Sequence, residues 1–254
     1  MVANAKLIGW GARVLYLGPA MGLTPHRNAT AVLAVALDDR LEVAGDAADS
    51  DSEYRSARSV LIPPSTLHHL RVAGGRMAFL YVDPLSRDLD ALRERMRDIT
   101  PRAAFDLIDE GAVIEVLTDL ADGRIAAGDV RQALGVLLRI DTSADPDVRI
   151  AAALRRMRSE PDGDHSLMEL AADAGLSESR FLHLFKAETG VPLRRYRLWN
   201  RMGAAVRAFH AGMSLTEAAH AAGFASSAHF STAFRDMFGM MPSELLNGLE
   251  KVQR

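Results

Sequence analysis

A sequence repeat in the C-terminal part of the chain limits its fold more than any other feature. The landmarks of the first copy are Ser166, Glu169, Gly175, Phe181, Phe185 and Gly190. Their counterparts in the second copy are Ser214, Glu217, Gly223, Phe230, Phe234 and Gly239. The offset is 48 residues up to the glycine of each turn and 49 residues beyond it. Two copies of one pattern predict two copies of one folded unit.

Each copy predicts two short helices joined by a glycine turn. The Ser-x-x-Glu pair is a capping box, which satisfies the free backbone donors at the start of a helix. The glycine then ends this helix where a positive φ is often required, and Ser177 or Ser226 offers the N-cap of the next helix. Each pair of phenylalanines lies four residues apart, on one face of that second helix. This order is typical of a helix-turn-helix unit. A plain helical bundle is the alternative, which matched landmarks in two copies disfavour.

A longer helix is predicted between the two copies, from Pro192 to Ala211. Proline suits the first position of a helix, and Gly212 follows its end. Twenty residues at about 1.5 Å each span roughly 30 Å, while one turn of DNA is about 34 Å long. A helix of this length is therefore suited to hold two reading helices in successive major grooves.

The distribution of charge also favours a DNA partner for this region. The whole chain has a net charge of −3, which by itself argues against nucleic acid. The stretch from Arg180 to Arg207 opposes a single acid, Glu188, with seven cations: Arg180, Lys186, Arg194, Arg195, Arg197, Arg201 and Arg207. Because salt screens charges beyond roughly 10 Å, local basicity matters more than the total. A solvated helix face remains the alternative explanation for these cations.

The segment from Ser166 to Leu246 resembles the DNA-binding domain of AraC-type transcription regulators. The resemblance rests on LSESRFLHLFKAETGVPLRRY, on AAHAAGFASSAHFSTAFRDMFGMMPSEL and on Arg201 and Ala205 of the linking helix. One departure is Asn200, where the family usually carries an aliphatic residue. The resemblance implies a regulator, either activator or repressor, that binds specific double-stranded DNA sequences. We also expect a homodimer, on the basis of an apolar seam described below. RNA polymerase is a further implied partner.

The resemblance also indicates which residues of the first copy meet DNA. Ser179, Leu182 and His183 correspond to family positions that meet base edges. Arg180 is suited either to read guanine or to hold a phosphate, and Lys186 is expected to hold a phosphate. An exposed Leu182 offers only apolar contact, for example to a thymine methyl group.

The second copy predicts a weaker reading helix. Its outward residues are Ala228, His229, Ser231 and Thr232, with Arg235 as the expected phosphate contact. Because none of the four outward residues is a long bidentate reader, we expect this helix to contribute mainly position and shape recognition. Arg194 and Arg195, at the start of the linking helix, are further phosphate candidates, with solvated surface as the alternative.

The first 84 residues predict a small β-barrel or sandwich. Five short runs rich in Val, Leu and Ile are separated by turn signals such as Asp38-Asp39, Pro63-Pro64 and Gly74-Gly75. These runs cover residues 13–17, 31–37, 58–62, 67–72 and 77–82. The predicted fold class is therefore α+β and multidomain. A β-barrel occupies residues 1–84, a helical connector 85–144, and an all-α domain with two helix-turn-helix units 145–254.

The connector predicts three helices. Its first helix carries a heptad-like seam, formed by Leu85, Leu89, Leu92, Met96 and Ile99, and Pro101 ends it. This seam is either a dimer interface or a face that packs on the protein's own barrel. Apolar residues between Phe105 and Leu120 indicate a second helix, and those between Val130 and Leu138 a third.

The N-terminal domain of AraC-type regulators often senses a ligand, and many such domains are cupin-like. The stretch SVLIPPSTLHHL, which ends beyond His68 and His69, resembles the second cupin motif. Pro25-His26 stands where the first motif belongs, but His26 is followed by Arg27 and Asn28 rather than by another ligand. Three converging metal ligands are therefore not expected, and we predict neither a metal nor another cofactor.

His26, Arg27, His68 and Tyr81 are the candidate ligand-binding residues, placed at the mouth of the predicted barrel. Arg27 suits an anionic or carboxylate ligand, because a guanidinium pairs with a carboxylate through two hydrogen bonds. Two alternatives remain for this domain, a metal-dependent enzyme domain or a domain used only for dimerisation. We predict no catalytic residue and no enzymatic activity.

The remaining expectations concern compartment. The chain has no cysteine, which excludes disulfides and thiolate metal sites and suits a reducing compartment. Its first residues lack the apolar core of a signal peptide, and no run of about 18 apolar residues predicts a membrane span. We therefore expect a cytoplasmic protein without a membrane partner.

Overall fold

The computed structural model describes residues 5–10, 13–44, 54–82, 88–140, 147–160, 163 and 165–248. Contacts within the chain divide it into two units. The N-terminal unit contains the described residues up to 140 together with residues 235–248. The C-terminal unit contains the described residues from 147 to 234.

The N-terminal unit is built on two antiparallel sheets. Its strands are β1 (Lys6–Trp10), β2 (Arg13–Pro19), β3 (His26–Arg27), β4 (Val32–Ala36), β5 (Leu41–Ala44), β6 (Arg55–Ala57), β7 (Ser59–Ile62), β8 (Leu67–Val72), β9 (Arg76–Tyr81), β10 (Met96–Ile99) and β11 (Ala104–Leu107). One sheet has the order β1-β2-β9-β4-β7-β11-β10, and the other has the order β3-β8-β5-β6. The five predicted strands are confirmed as β2, β4, β7, β8 and β9. The described strands form two separate sheets rather than one closed barrel.

The hydrophobic core of this unit lies between the larger sheet and two helices. Every residue of β4 is buried, because this strand lies between β9 and β7 at the centre of its sheet. Since side chains alternate along a strand, Leu33 and Val35 lie on the same face. They share one core cluster with Leu117 of α2 (Glu110–Ala121) and Leu134 of α3 (Ala127–Leu138). The two helices are thus part of the N-terminal unit.

The continuous helix predicted from Leu85 to Ile99 is wrong. Leu85 lies outside the described residues, and α1 (Asp88–Glu94) ends before the chain enters β10. Met96 therefore lies in a strand, because pairing of β10 with β11 overrides the helical spacing. Leu92 is fully buried in the core of its own unit. Leu92 and Met96 thus pack in the core of their own unit, in line with the alternative interpretation, whereas Ile99 is 46% exposed.

The second predicted helix of the connector begins later than expected. Phe105 lies in β11, which pairs with β7 at Val60, and the helix begins only at Glu110. A short apolar run does not by itself distinguish a buried strand from a helix. The third predicted helix is confirmed as α3, from Ala127 to Leu138.

The C-terminal unit is helical throughout its described residues. Its helices are α4 (Val148–Ser159), α5 (Leu167–Asp173), α6 (Glu178–Thr189), α7 (Leu193–His210), α8 (Leu215–Ala221) and the first part of α9 (Ser227–Phe238). The end of α9 and the following α10 (Pro242–Gly248) are grouped with the N-terminal unit. The linking helix predicted from Pro192 to Ala211 is confirmed as α7, with Pro192 as its N-cap.

Gly239 anchors residues 235–248 within the N-terminal unit. Its carbonyl oxygen accepts hydrogen bonds from the backbone N–H of Thr24, at 2.7 Å, and from Thr24 Oγ1, at 3.0 Å. Its φ is +74°, and an added Cβ would lie 2.5 Å from both Thr24 O and His26 Nδ1. Gly175 has a similar φ of +64°, but an added Cβ there meets no atom within 4 Å.

These two glycines give a matched test of this anchor. Gly175→Ala introduces only left-handed backbone strain, about 1–2 kcal/mol. Gly239→Ala adds a clash with two fixed groups, and we expect a total loss of about 3 kcal/mol or more in the free energy of unfolding. Urea denaturation followed by circular dichroism measures both losses. Equal losses for the two variants would contradict the close approach at Gly239.

Candidate nucleic-acid interface

The first helix-turn-helix unit consists of α5, the turn at Gly175 and α6. Ser166 Oγ accepts a hydrogen bond from the N–H of Glu169 at 3.1 Å, which caps α5 as predicted. Gly175 ends this helix with a positive φ, and Ser177 is the N-cap of α6. Phe181 and Phe185 are fully buried, with ring centroids 6.0 Å apart. Their burial fixes which face of α6 points outward.

The second helix-turn-helix unit repeats this construction with α8, the turn at Gly223 and α9. Ser214 and Glu217 form a complete capping box, with hydrogen bonds of 3.2 Å and 2.8 Å between them. Ser226 Oγ accepts from the N–H of His229 at 3.1 Å at the start of α9. Phe230 is buried and lies 5.1 Å from Phe224 and 5.6 Å from Phe234, measured between ring centroids.

The outward face of α6 carries every residue that we predicted to meet DNA from the first copy. Ser179, Arg180, Leu182, His183 and Lys186 are all exposed. Leu182 is 40% exposed although it is a large apolar residue. This face combines a hydroxyl group, an imidazole, two cations and one apolar contact, which are the groups that read base edges and hold phosphates.

The outward face of α9 is less varied. Ala228, His229, Thr232 and Arg235 are exposed, and Ser231 is half-buried. The His229 ring lies edge-on to Phe224, with centroids 5.5 Å apart. Apart from Arg235, this face offers short side chains, a pattern that supplies few direct base contacts.

The cations of α7 fall into two classes that sequence reasoning did not separate. Arg194 and Arg207 are exposed, and Arg195 is half-buried. Arg197 and Arg201 instead donate hydrogen bonds to backbone carbonyl oxygens within the C-terminal unit. The four-residue spacing of Arg197 and Arg201, which places them on one face of the helix, is the signal that the sequence offered for this shared role.

Asn200, the departure from the family pattern, lies on the same helix. It is half-buried, and its Nδ2 is shielded from solvent without a hydrogen-bond acceptor in the described structure. Such a group loses its hydrogen bond to water on folding. The polar residue at this position therefore costs the fold some stability.

Of the four residues that we predicted to bind a ligand in the N-terminal unit, the structure places two against each other. His26 and His68 are buried and directly paired between β3 and β8, with ring centroids 4.2 Å apart. Asn28 Nδ2 lies 3.4 Å from His68 Nε2. Tyr81 is also buried, and its ring contacts Phe238 edge-on at 5.7 Å.

Arg27, the fourth predicted residue, points elsewhere. Its side chain is exposed, and Nη1 donates a hydrogen bond to the carbonyl oxygen of Ser65 at 3.0 Å. Since His26 and Arg27 are neighbours in a strand, their side chains point to opposite faces. The four residues therefore do not face a common point.

His68 is held in its neutral form. Burial, the largest cause, and the nearby His26 together lower its pKa to about 3. Its Nδ1 lies 2.9 Å from Thr66 O, an arrangement in which a neutral imidazole donates from Nδ1 and keeps Nε2 as an acceptor for Asn28.

Two further findings concern metals and membranes. Among the described residues, no group of three or more His, Asp or Glu side chains is placed to hold a metal ion. No helix in the described ranges has the length and apolar character that crossing a membrane requires.

Comparison with known sequences matches the second half of the chain. Residues 170–248 match the family model described as a helix-turn-helix domain. The probable transcriptional regulator LumQ of Photobacterium leiognathi is 35% identical over 79 residues, which are 31% of this chain and 32% of LumQ. The match thus spans about a third of that relative. Residues 170–248 form an AraC-type helix-turn-helix domain.

Comparison with solved structures covers nearly the whole chain. ToxT of Vibrio cholerae has a TM-score of 0.62 and 13% identity, over 94% of this chain and 99% of that one. A structure of wild-type ToxT with a bound unsaturated fatty acid has a TM-score of 0.60 and 13% identity, over the full length of both chains. At this identity the likeness shows a shared two-domain fold.

The buried His68 makes the stability of the fold depend on pH. Its folded pKa of about 3 lies below the ordinary value of 6.5, so the unfolded chain binds the proton first as pH falls. The contribution of neutral His68 to the free energy of unfolding is fully present above pH 6.5. It is lost as the pH falls towards 3, by up to about 1.4 kcal/mol per pH unit. We expect His68→Gln to flatten this slope between pH 6.5 and 5, measured by urea denaturation.

The exposed His210 supplies the control for this measurement. His210→Gln is expected to keep the wild-type slope, because this exposed side chain is not part of the buried cluster around His68. A His68→Gln variant with the same pH dependence as the wild type would show that His68 does not carry this effect.

Proposed function

We propose that this chain, which carries an AraC-type helix-turn-helix domain, is a sequence-specific DNA-binding transcription regulator controlled by a small molecule. The observation that carries the proposal is the duplicated unit itself. Each copy buries its phenylalanines and thereby turns polar and cationic residues of α6 and α9 outward. Two such helices joined by α7, which is about 27 Å long at 1.5 Å per residue, fit successive major grooves of about 34 Å repeat.

The two reading helices have different roles in this proposal. On α6, His183 and Arg180 read base edges, Leu182 contacts a thymine methyl group, and Lys186 holds a phosphate. On α9, the short side chains contribute position and shape recognition, and Arg235 holds a phosphate. Arg194 and Arg195, at the start of α7, are proposed as further phosphate contacts.

Two substitutions on α6 distinguish a residue that reads bases from one that contacts a phosphate. The probe is a duplex selected from random DNA by the full chain. Lys186→Ala is expected to weaken binding to all sequences and to lower the slope of log K against log salt by about one. His183→Ala is expected to cost about 1–3 kcal/mol on the selected duplex only, because base contacts carry the sequence preference. Fluorescence anisotropy over a salt series measures both effects.

The exposed His210, at the far end of α7, gives a control in which His210→Ala leaves affinity and slope unchanged. A wild-type chain that binds random duplexes as tightly as the selected one contradicts the proposed function. The chain is proposed to work in the cytoplasm, with RNA polymerase and a second copy of itself as further partners. A dimer contact, if formed, uses a surface other than the buried Leu92.

The proposed effector is a carboxylic acid with a long apolar tail. Two features support this class. The fold is shared with ToxT, for which a complex with an unsaturated fatty acid is known, and Arg27 presents a guanidinium at the surface of the N-terminal unit. A guanidinium pairs with a carboxylate through two parallel hydrogen bonds. We propose that Arg27 binds the carboxylate at this surface, without His26, His68 or Tyr81, which are buried and do not face the same point.

Oleate below its aggregation concentration tests this effector class. If oleate and DNA binding are coupled, oleate changes the affinity for the selected duplex by roughly 5–150-fold, and DNA changes the affinity for oleate by the same factor. Methyl oleate, which lacks the carboxylate, is expected to have no effect, and Arg27→Gln is expected to abolish the oleate response. Unchanged DNA affinity with oleate bound would contradict control by this ligand.

A further inference from the structure

Arg201 connects the linking helix to the turn of the second helix-turn-helix unit. Its Nε donates to Ala222 O at 3.0 Å, and its Nη2 donates to Gly223 O. Its Cζ also lies over the ring of Phe224, 4.3 Å from the centroid. One guanidinium therefore contacts three consecutive residues of the turn.

The turn passes this constraint on to the reading helix α9. The Phe224 ring lies 5.1 Å from that of Phe230 and 5.5 Å from that of His229, measured between centroids. Phe224 and Phe230 are buried, whereas His229 is on the exposed face. A series of contacts thus runs from Arg201 through Phe224 to an outward side chain of α9.

Arg197, one helical turn before Arg201, makes a comparable contact with the first unit. Its Nη2 donates to the carbonyl oxygen of His165, the residue before the N-cap Ser166 of α5. His165 is itself buried, and its Nε2 lies 2.6 Å from Glu160 O. The two arginines occupy neighbouring positions on one face of α7. Each of them contacts one of the two helix-turn-helix units.

The chemistry of these contacts distinguishes them from phosphate contacts. Carbonyl oxygens at the end of a helix lack partners within the helix, and Ala222 is the C-cap of α8. A planar guanidinium bonds two such oxygens at once and stacks on an aromatic ring, whereas a lysine ammonium is a point charge without a fork or a plane. An arginine whose donors are engaged in this way is poorly placed to hold a phosphate.

We propose that Arg197 and Arg201 are positioning residues that fix the two helix-turn-helix units to α7 and thereby align the two reading helices. This proposal rests on the proposed DNA-binding function, because alignment matters only if both helices meet one duplex. Two of the seven cations between Arg180 and Arg207 then serve to set the spacing of α6 and α9. Phosphate contact then falls to the exposed cations, among them Lys186 and Arg194.

Substitutions at Arg201 in the full chain separate the two roles. Arg201→Lys keeps the charge but loses the fork and the stacking plane. If Arg201 positions α9, we expect this variant to bind the selected duplex roughly tenfold more weakly, the scale of one lost base contact, with an unchanged salt slope. Arg201→Met is expected to behave in the same way. Lys186→Ala serves as the reference for a phosphate contact, with its slope lower by about one.

A readout without DNA follows from the Phe224 contact. The Hε1 resonance of His229 is expected to shift in Arg201→Lys and Arg201→Met, because the neighbouring ring moves, whereas that of His183 stays in place. Arg207→Met, at an exposed position of the same helix, is the matched control and is expected to leave both resonances unchanged. Thermal melting identifies any variant that fails to fold. If Arg201→Met fails to fold, Arg201→Lys alone provides the test.

The outcomes distinguish this proposal from the function on which it rests. A wild-type chain without preference for the selected duplex overturns the proposed function, and the His229 resonance still tests the positioning role. If the wild type is specific but Arg201→Lys retains full affinity while Arg201→Met lowers the salt slope by about one, Arg201 is a phosphate contact and the proposal is wrong. An unshifted His229 resonance in both folded variants also overturns it.

Discussion

Burial of paired aromatic rings is the interaction on which the C-terminal unit depends. Phe181 and Phe185 pack together, and Phe185 lies edge-on to Tyr196 of α7 at 5.7 Å. Phe224, Phe230 and Phe234 form the equivalent cluster in the second copy. Each buried phenylalanine removes a large apolar surface from water and leaves its helix only one face to expose. The core therefore sets which groups are exposed on the two helices that we propose to meet DNA.

The N-terminal unit combines an apolar core with a few buried polar contacts, which restrict how its strands and helices can be arranged. Arg13 and Asp88 are both buried and are joined by hydrogen bonds of 2.5 and 2.8 Å, which tie β2 to the start of α1. Loss of one partner would leave a buried charge unpaired, which is strongly destabilising. His26 and His68 are buried as a pair, and His68 lies beside Asn28. Such contacts specify one arrangement more strictly than apolar packing alone.

The sequence predicts most of the C-terminal unit but less of the N-terminal one. Capping residues and Gly175 or Gly223 act locally, so their pattern is visible in the sequence and the outward face of α6 follows from Phe181 and Phe185. The strand at Met96–Ile99 was mistaken for a helix because its pairing with β11 is tertiary. The sequence likewise does not reveal that Arg197 and Arg201 bond to carbonyl oxygens within the protein, because charge alone does not show where a side chain points.

Footprinting of the full chain on a duplex selected from random DNA tests the central claim most directly, namely that two helix-turn-helix units on one linking helix read one face of DNA. Hydroxyl-radical cleavage reports which sugars the protein covers. The account predicts two protected segments on one face, about one helical turn or roughly 10 base pairs apart. A single protected segment, or protection without sequence preference, would contradict it.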